Sequence, residues 1–341
     1  MKSMDRLMEI KKFYTVDKDD KPIGLHAPLQ PFSIEDGVMT CAICHGPLRD
    51  ITRYGRLVSR MQLDESTKKL NLYHNRGYSI LSEELSRHVQ RLQQARAPRP
   101  VQWAGSLQIY GVRDKILNAM VKIMQKLNPG RWEKLLDFRN RITEYRRRVK
   151  SAEQRFQLVR NKVLAEQRRQ QTPGYFRITV HDEILQTNAI LQAEALEIRL
   201  DIALIADLLS PAHLLQMGDM KLDLNLQKPR DECFVLARTA ERSGRLPQQV
   251  EGQIFIAQLH ALERPHTSPS NAQRCLELGK EAIAKARSVC EAHPAQTSGF
   301  ASEINGAERM LTGVTFYGEV TSEERMVVIR AMAREFQRTW Q

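Results

Sequence analysis

Hydrophobic and polar residues alternate along most of this chain with the spacing of amphipathic helices. Prolines and glycines recur too often in residues 1–50 for long helices, so this part is predicted to be a small loop-rich module. Helical spacing then runs from Tyr54 to about Arg96, where a proline-containing stretch ends it. A second helix is predicted across Leu107–Leu127, ended by Asn128-Pro129-Gly130.

The segment Trp132–Gln170 has the most regular pattern of all. Its apolar positions alternate at spacings of three and four, at Leu135, Phe138, Ile142, Tyr145, Val149, Ala152, Phe156, Val159 and Val163. Such a heptad seam over about four heptads predicts a long coiled-coil-type helix. We interpret its aromatic residues as core residues rather than as base-stacking groups, because they lie on the seam.

The heptad spacing returns from Ile184 to Leu209, after a break at Thr172-Pro173-Gly174 and a short stretch with β character at Tyr175–Val180. Two heptad helices joined by a short connection would most economically fold back as an antiparallel hairpin. The alternative is a parallel homodimer through one seam. Asn188 would be a register-setting polar residue in either arrangement.

The remainder of the chain is typical of helix pairs. The predicted helices are Arg230–Gly244, Pro247–Leu262, Asn271–Ala292, Ser302–Leu311 and Ser322–Arg338, and small residues such as Ala237 and Ala282 recur within them. They resemble tetratricopeptide-type hairpins without a clean 34-residue period, which favours an irregular α-solenoid.

We therefore predict an all-α protein with four parts. They are a zinc-knuckle-like module at 1–52, a helical connector at 53–130, a basic antiparallel hairpin at 131–210 and a TPR-like array at 211–341. The apolar content of 42% suffices for a substantial core, and 17 glycines and 14 prolines in 341 residues disfavour a turn-rich β fold.

The formal net charge of +12 and the pI of 9.6 favour a polyanionic partner. Thirteen Lys or Arg residues but only five acids lie between Arg131 and Arg169, a net charge of +8. On one helix they would form a basic rod of roughly 60 Å that tracks a phosphate backbone. The candidate nucleic-acid-binding residues are Arg139, Arg146, Arg147, Arg148, Lys150, Arg155, Arg160, Lys162, Arg168 and Arg169; a solvated coiled-coil face is the competing interpretation.

The five cysteines do not form a disulfide framework. Cys233, Cys275 and Cys290 lie in helical patterns and are expected to be reduced core thiols. Cys41 and Cys44 form a Cys-x-x-Cys knuckle of the kind that presents two thiolates to Zn²⁺. Because zinc prefers four ligands and the chain holds no second cysteine pair, these two residues represent half of a candidate zinc site.

No catalytic motif is evident. Gly279-Lys280 is followed by Glu281 inside a helical pattern, so it is not a phosphate-binding loop. His181-Asp182-Glu183 is interpreted as a helix start rather than a catalytic group. Neither a signal peptide nor a membrane span is predicted, so we expect an intracellular protein of the nucleus or cytoplasm.

Three stretches of the chain resemble one family, the fungal NFX-type zinc-finger superfamily 1 helicases, in their C-terminal region. The stretches are Ser3-Met4-Asp5-Arg6 to Phe13-Tyr14 with Pro31-Phe32-Ser33; Cys41-Ala42-Ile43-Cys44-His45-Gly46-Pro47-Leu48 through Arg53-Tyr54-Gly55-Arg56 to Leu63–Lys69; and Phe316-Tyr317-Gly318-Glu319-Val320-Thr321 leading to Ala331–Phe336. The second is the most specific, whereas the helical middle is similar mainly in layout.

The resemblance implies a position between a cysteine-rich finger array and an RZ-type zinc finger. It matches Cys41 and Cys44 to the last cysteine pair of a RING-like element, and it implies an association with RNA silencing or RNA defence. The chain differs in lacking the helicase core, the upstream cysteines and the RZ finger, and in having His45 where relatives usually have Arg. We therefore expect a non-catalytic, RNA-associated scaffold fragment; a ubiquitin-ligase component and a plain protein-interaction module are the alternatives.

Overall fold

The computed structural model describes residues 14–19, 21–25, 40–41, 46, 52–94, 106–169, 187–210, 213–214, 217 and 221–313. These residues are mostly helical, as expected, and they divide into a unit before Gly77 and a unit from Gly77 onward. Several predictions, including the strand character of Tyr175–Val180 and the helix Ser322–Arg338, fall outside the described residues.

The first unit holds an antiparallel hairpin of β1 (Tyr14–Val16) and β2 (Pro22–Leu25). Asp17 closes its turn, because the Oδ1 atom accepts the backbone N–H groups of Asp19 and Lys21 at 2.9 and 2.8 Å. The first half of helix α1 (Thr52–Gln94) also belongs to this unit.

The second unit contains the rest of α1 and a succession of helices. They are α2 (Arg113–Leu127), α3 (Glu133–Arg169), α4 (Thr187–Leu208), α5 (Gln227–Arg242), α6 (Leu246–Glu263), α7 (Pro269–Ala292), the short α8 (Pro294–Thr297) and α9 (Ala301–Thr312), with 3₁₀ turns at Arg264–His266 and Ser298–Phe300. Each predicted helix in this range is found, with ends that differ by a few residues, except for the start of α2.

The prediction of a helix from Leu107 was wrong at its beginning. Residues Ser106–Ile109 form strand β3, which pairs in parallel with β4 (Lys221–Leu224). Leu107 and Ile109 alternate with polar residues, which suits a strand with one buried face, and the positive φ of 119° at Gly111 separates the strand from α2. The strand exists because a partner 115 residues away supplies its hydrogen bonds.

Helix α4 is buried on all sides. The predicted seam residues Leu191, Ala195 and Ile198 are buried, and so are Leu200 and Leu204 on the opposite side. The helix packs against α2, α3, α5 and α6. A helix with buried apolar residues on opposite sides belongs in a protein interior, so α4 is the central helix of this unit rather than one arm of an isolated hairpin.

Two clusters of buried residues form the core of the second unit. The first core extends from Leu81 of α1 through α2, α3 and α4 to Leu259 of α6, so it crosses the predicted boundaries at 130 and 210. The second core joins α6, α7 and α9 through Val250, Ala257, Ala286 and other small or branched residues.

Glycine allows the closest helix contacts in the second unit. A Cβ atom built on Gly252 of α6 would lie 2.8 Å from the Cβ of Ala237 and 3.0 Å from its backbone nitrogen. One built on Gly279 of α7 would lie 2.7 Å from Leu311. Gly279 therefore serves helix packing, consistent with the interpretation that Gly279-Lys280 is not a phosphate-binding loop.

Candidate nucleic-acid interface

The basic helix α3 is one continuous helix from Glu133 to Arg169. Its seam points into the protein as predicted: Phe138 and Ile142 are fully buried, Val149 is 2% exposed, and Tyr145 packs against the first core. The side chain of Phe156 lies outside the described part of the chain. In the described half of the helix, Phe138 is therefore a core residue, and Tyr145 is partly buried against the core.

Three regularly spaced arginines of this region pair with acids of α4. Arg131 Nη2 lies 2.6 Å from Asp207 Oδ1, and Arg139 Nε lies 2.7 Å from Asp201 Oδ1. Arg146 Nη1 lies 2.7 Å from Glu197. The residue numbers of the arginines rise from pair to pair, while those of their acidic partners fall. The ladder of ion pairs therefore confirms the antiparallel packing of the two heptad helices within one chain.

Further hydrogen bonds hold the first step of the ladder in place. Trp132 Nε1 donates to Asp207 Oδ2 at 2.8 Å, while Arg131 also donates to the carbonyl oxygen of Leu92 at 2.9 Å. Both carboxylate oxygens of Asp207 thus accept bonds from the turn that precedes α3. The contacts of Arg131 and Trp132 therefore hold the beginning of α3 against the end of α4 and against α1.

The second ion pair of the ladder, between Arg139 and Asp201, is the most deeply buried. Asp201 is 1% exposed and lies between Arg139 and Arg113, whose Nε atom is 3.1 Å away. Burial would lower the pKa of Arg139, but the hydrogen bonds to Asp201 and Asp114 outweigh it and raise that pKa further. Arg139 is a permanent cation whose charge is compensated inside the protein.

The carboxylate of the third ion pair, Glu197, is also shared between two arginines. Glu197, which is 2% exposed, lies within ion-pair distance of Arg146 and of Arg113 and accepts a hydrogen bond from Thr143 at 2.8 Å. Arg113 in turn lies 3.3 Å from Glu232 of α5. The charges of α2, α3, α4 and α5 therefore form one network, in which Arg139 and Arg146 are structural ion-pair partners.

The outward stripe of α3 carries charges of both signs. Arg141 forms a bidentate pair with Glu84 of α1, at 2.6 and 2.9 Å, and both Arg147 and Arg148 lie 2.9 Å from Glu144. Lys150 is exposed on the last described turn of side chains. The side chains of five further candidates, Arg155, Arg160, Lys162, Arg168 and Arg169, lie outside the described part of the chain.

The α4 acids that pair with Arg131, Arg139 and Arg146 were not predicted from the sequence. A usable signal was present, since Arg131, Arg139 and Arg146 are eight and seven residues apart and so lie along one side of a helix. Acids on the returning helix would be their natural partners.

The candidate zinc residues are only partly described. Cys41 is partly buried, and its backbone N–H donates to the carbonyl oxygen of Gly46 at 2.9 Å, while Cys44 lies outside the described residues. Within the described ranges there is no group of three potential metal ligands. Cys233 and Cys275 are buried free thiols, as expected, and burial raises the pKa of Cys275 to about 11.

Comparisons with protein-family models, with curated proteins and with solved structures found no match to this chain. Among the residues that the structure describes, no helix is long and apolar enough to cross a membrane.

Proposed function

We propose that this chain is a non-catalytic helical scaffold that associates with RNA through the part of α3 that begins at Arg147. The observation that carries this proposal is an uneven charge distribution along α3. From Arg131 to Arg146 the chain has five cations and three acids, and three of those cations are paired with acids of α4. From Arg147 to Arg169 it has eight cations and two acids.

The proposal narrows the candidate RNA contacts. Arg139 and Arg146 are no longer candidates, because moving them away from Asp201 and Glu197 would leave these two buried carboxylates to share Arg113. Arg147, Arg148 and Lys150 remain, together with the cations that follow them in the sequence. At 1.5 Å per residue this part of the helix is about 35 Å long, enough to follow several phosphates of a single strand.

Recognition of this kind would be electrostatic and tolerant of sequence. We expect a fluorescein-labelled single-stranded RNA of 20 nucleotides to bind with an affinity that falls steeply with salt. Each phosphate contact removed by mutation would reduce the slope of log K against log salt by about 0.7. Anisotropy titrations at several salt concentrations measure both quantities.

A matched pair of charge reversals tests the location. The double variant R147E/R148E should lower RNA affinity at least about tenfold, and adding R155E/R160E should lower it further, because each reversal replaces an attraction for phosphate with a repulsion. The control R238E/R242E makes the same charge change on exposed positions of α5. Equal losses in the two double variants would show that only net charge matters and would remove the proposed site.

The same family resemblance suggests zinc binding at Cys41 and Cys44, which a separate experiment tests. Metal analysis of the purified chain, with C41S/C44S as control, distinguishes a ubiquitin-ligase component, for which one equivalent of zinc is expected, from a scaffold without it. Analytical ultracentrifugation addresses the protein-interaction alternative by measuring whether the chain self-associates.

A further inference from the structure

Another buried acid, Glu251 of α6, lies at the contact between α4 and the C-terminal helices. Glu251 is 4% exposed, and its Oε1 atom accepts a hydrogen bond from Arg199 of α4 at 2.5 Å. Its other oxygen, Oε2, is buried and has no hydrogen-bond partner. A carboxylate with one buried, unsatisfied oxygen is costly, and the cost falls when the group takes up a proton.

Arg199 is shared between two carboxylates. It lies 3.5 Å from Glu303 of α9, a group whose side chain is 42% exposed, and its own side chain is 32% exposed. Tyr78 of α1 also faces this group. The charged and titratable groups that act on Glu251 thus come from α4, α9 and α1.

The residue after Glu251 holds α6 close to α5. The next residue, Gly252, lies against the backbone of Ala237 so closely that even a methyl group would collide there. This side of α6 is therefore held at a fixed distance from α5. Burial raises the pKa of Glu251 to about 7, although Arg199 lowers it.

We propose that Glu251, Arg199 and Glu303 form a proton-sensitive contact between α4 and the C-terminal helices, which we call the joint. The joint stabilises the folded protein most below neutral pH, and this stabilisation decreases as the pH rises. The direction follows from proton linkage. Because the folded-state pKa of Glu251 lies above the ordinary value of 4.5, the folded protein binds a proton that the unfolded chain releases. The stabilisation is complete below pH 4.5 and is lost as the pH rises through about 7.

The test compares the full chain with E251Q, which keeps the shape of the protonated acid without its titration. Urea unfolding is measured from pH 5 to pH 8. The ratio of the E251Q folding constant to the wild-type constant should rise with pH, by on the order of a hundredfold across this range. The control E281Q alters an exposed carboxylate of α7 that pairs with Lys285, away from the joint, and should give a profile parallel to that of the wild type. A parallel profile for E251Q would overturn the proposal.

Hydrogen exchange of the unmutated chain provides a second test that does not depend on the folding of a variant. After correction for the intrinsic pH dependence of exchange, amides of α4 near Arg199 and of α6 near Glu251 should lose protection between pH 5.5 and 7.5. Amides of α7 distant from the joint serve as the internal reference. An equal loss of amide protection in all helices, or no loss in any helix, would contradict the proposal.

Discussion

Around α3 and α4, buried arginine–carboxylate pairs join neighbouring helices, whereas around α6, α7 and α9 small residues let the helices approach closely. The first core contains Phe138, Ile142 and other large side chains, with the charged network beside them. Five of the ten buried residues of the second core are alanines. Ion pairs determine which residues face each other, while small residues determine how near the backbones lie.

Because different contacts hold the two regions together, we expect them to be destabilised by different kinds of mutation. The first region should be damaged most when one partner of a buried pair is removed, because the remaining charge cannot be solvated. The second should be damaged most when a side chain is enlarged at a contact. The following changes test this contrast in order of expected effect.

Asp201→Ala should have the largest effect, a loss of about 3 to 5 kcal/mol in unfolding free energy, since it leaves Arg113 and Arg139 without their shared buried carboxylate. Asp114→Ala is the matched control, because Asp114 also binds Arg139 but its side chain is 74% exposed. We expect it to cost at most about 1 kcal/mol. Urea denaturation measures both, and equal costs would contradict a role for burial.

Gly252→Ala should cost about 1 to 3 kcal/mol, because its methyl group would meet the backbone of Ala237 and the helices would have to separate. Gly306→Ala in α9 meets nothing within 4 Å and should stabilise the protein by up to about 1 kcal/mol through helix propensity. Thermal unfolding of the two variants should shift in opposite directions. A shift in the same direction would show that close approach is not decisive at Gly252.

His260 of α6 should weaken the protein on acidification. Burial and then Arg230 and Arg274 lower its pKa to about 3, so the folded protein keeps it neutral while the unfolded chain binds a proton below pH 6.5. Stability is therefore lost as the pH falls below 6.5, by about 1 to 2 kcal/mol at pH 5. His260→Gln should remove this part of the pH dependence, whereas His293→Gln, at an exposed position, should leave it unchanged.

Glu84→Gln should have the smallest effect, at most about 1 kcal/mol, because its pair with Arg141 is partly solvated. The hydrogen bond from Arg141 lowers the pKa of Glu84, so its contribution is present above pH 4.5 and lost on acidification. The difference between variant and wild type should shrink at high salt. A cost as large as that of Asp201→Ala would contradict the contrast between buried and exposed pairs.

The long helices were predictable from the spacing of apolar residues, whereas the acids that surround the basic helix α3 were not. Leu135 to Val149 appeared as a seam because a heptad pattern is local and survives whatever packs against it. Arg139 and Arg146 were grouped with the other cations, since a one-dimensional count of charge cannot show which side chains meet an acid more than fifty residues away. The strand at Leu107 was missed for the same reason, because its partner is distant in sequence.

What this sequence determined by itself is the mostly helical character, the continuous α3 and the burial of its seam, all of which depend on spacings within a few turns of one helix. Tertiary structure alone decided that α4 lies at the centre, that Asp201 and Glu197 neutralise part of the basic helix and that Glu251 is buried with one oxygen unsatisfied. Burial and charge pairing depend on what the rest of the chain brings alongside a residue, and a local pattern does not contain that information.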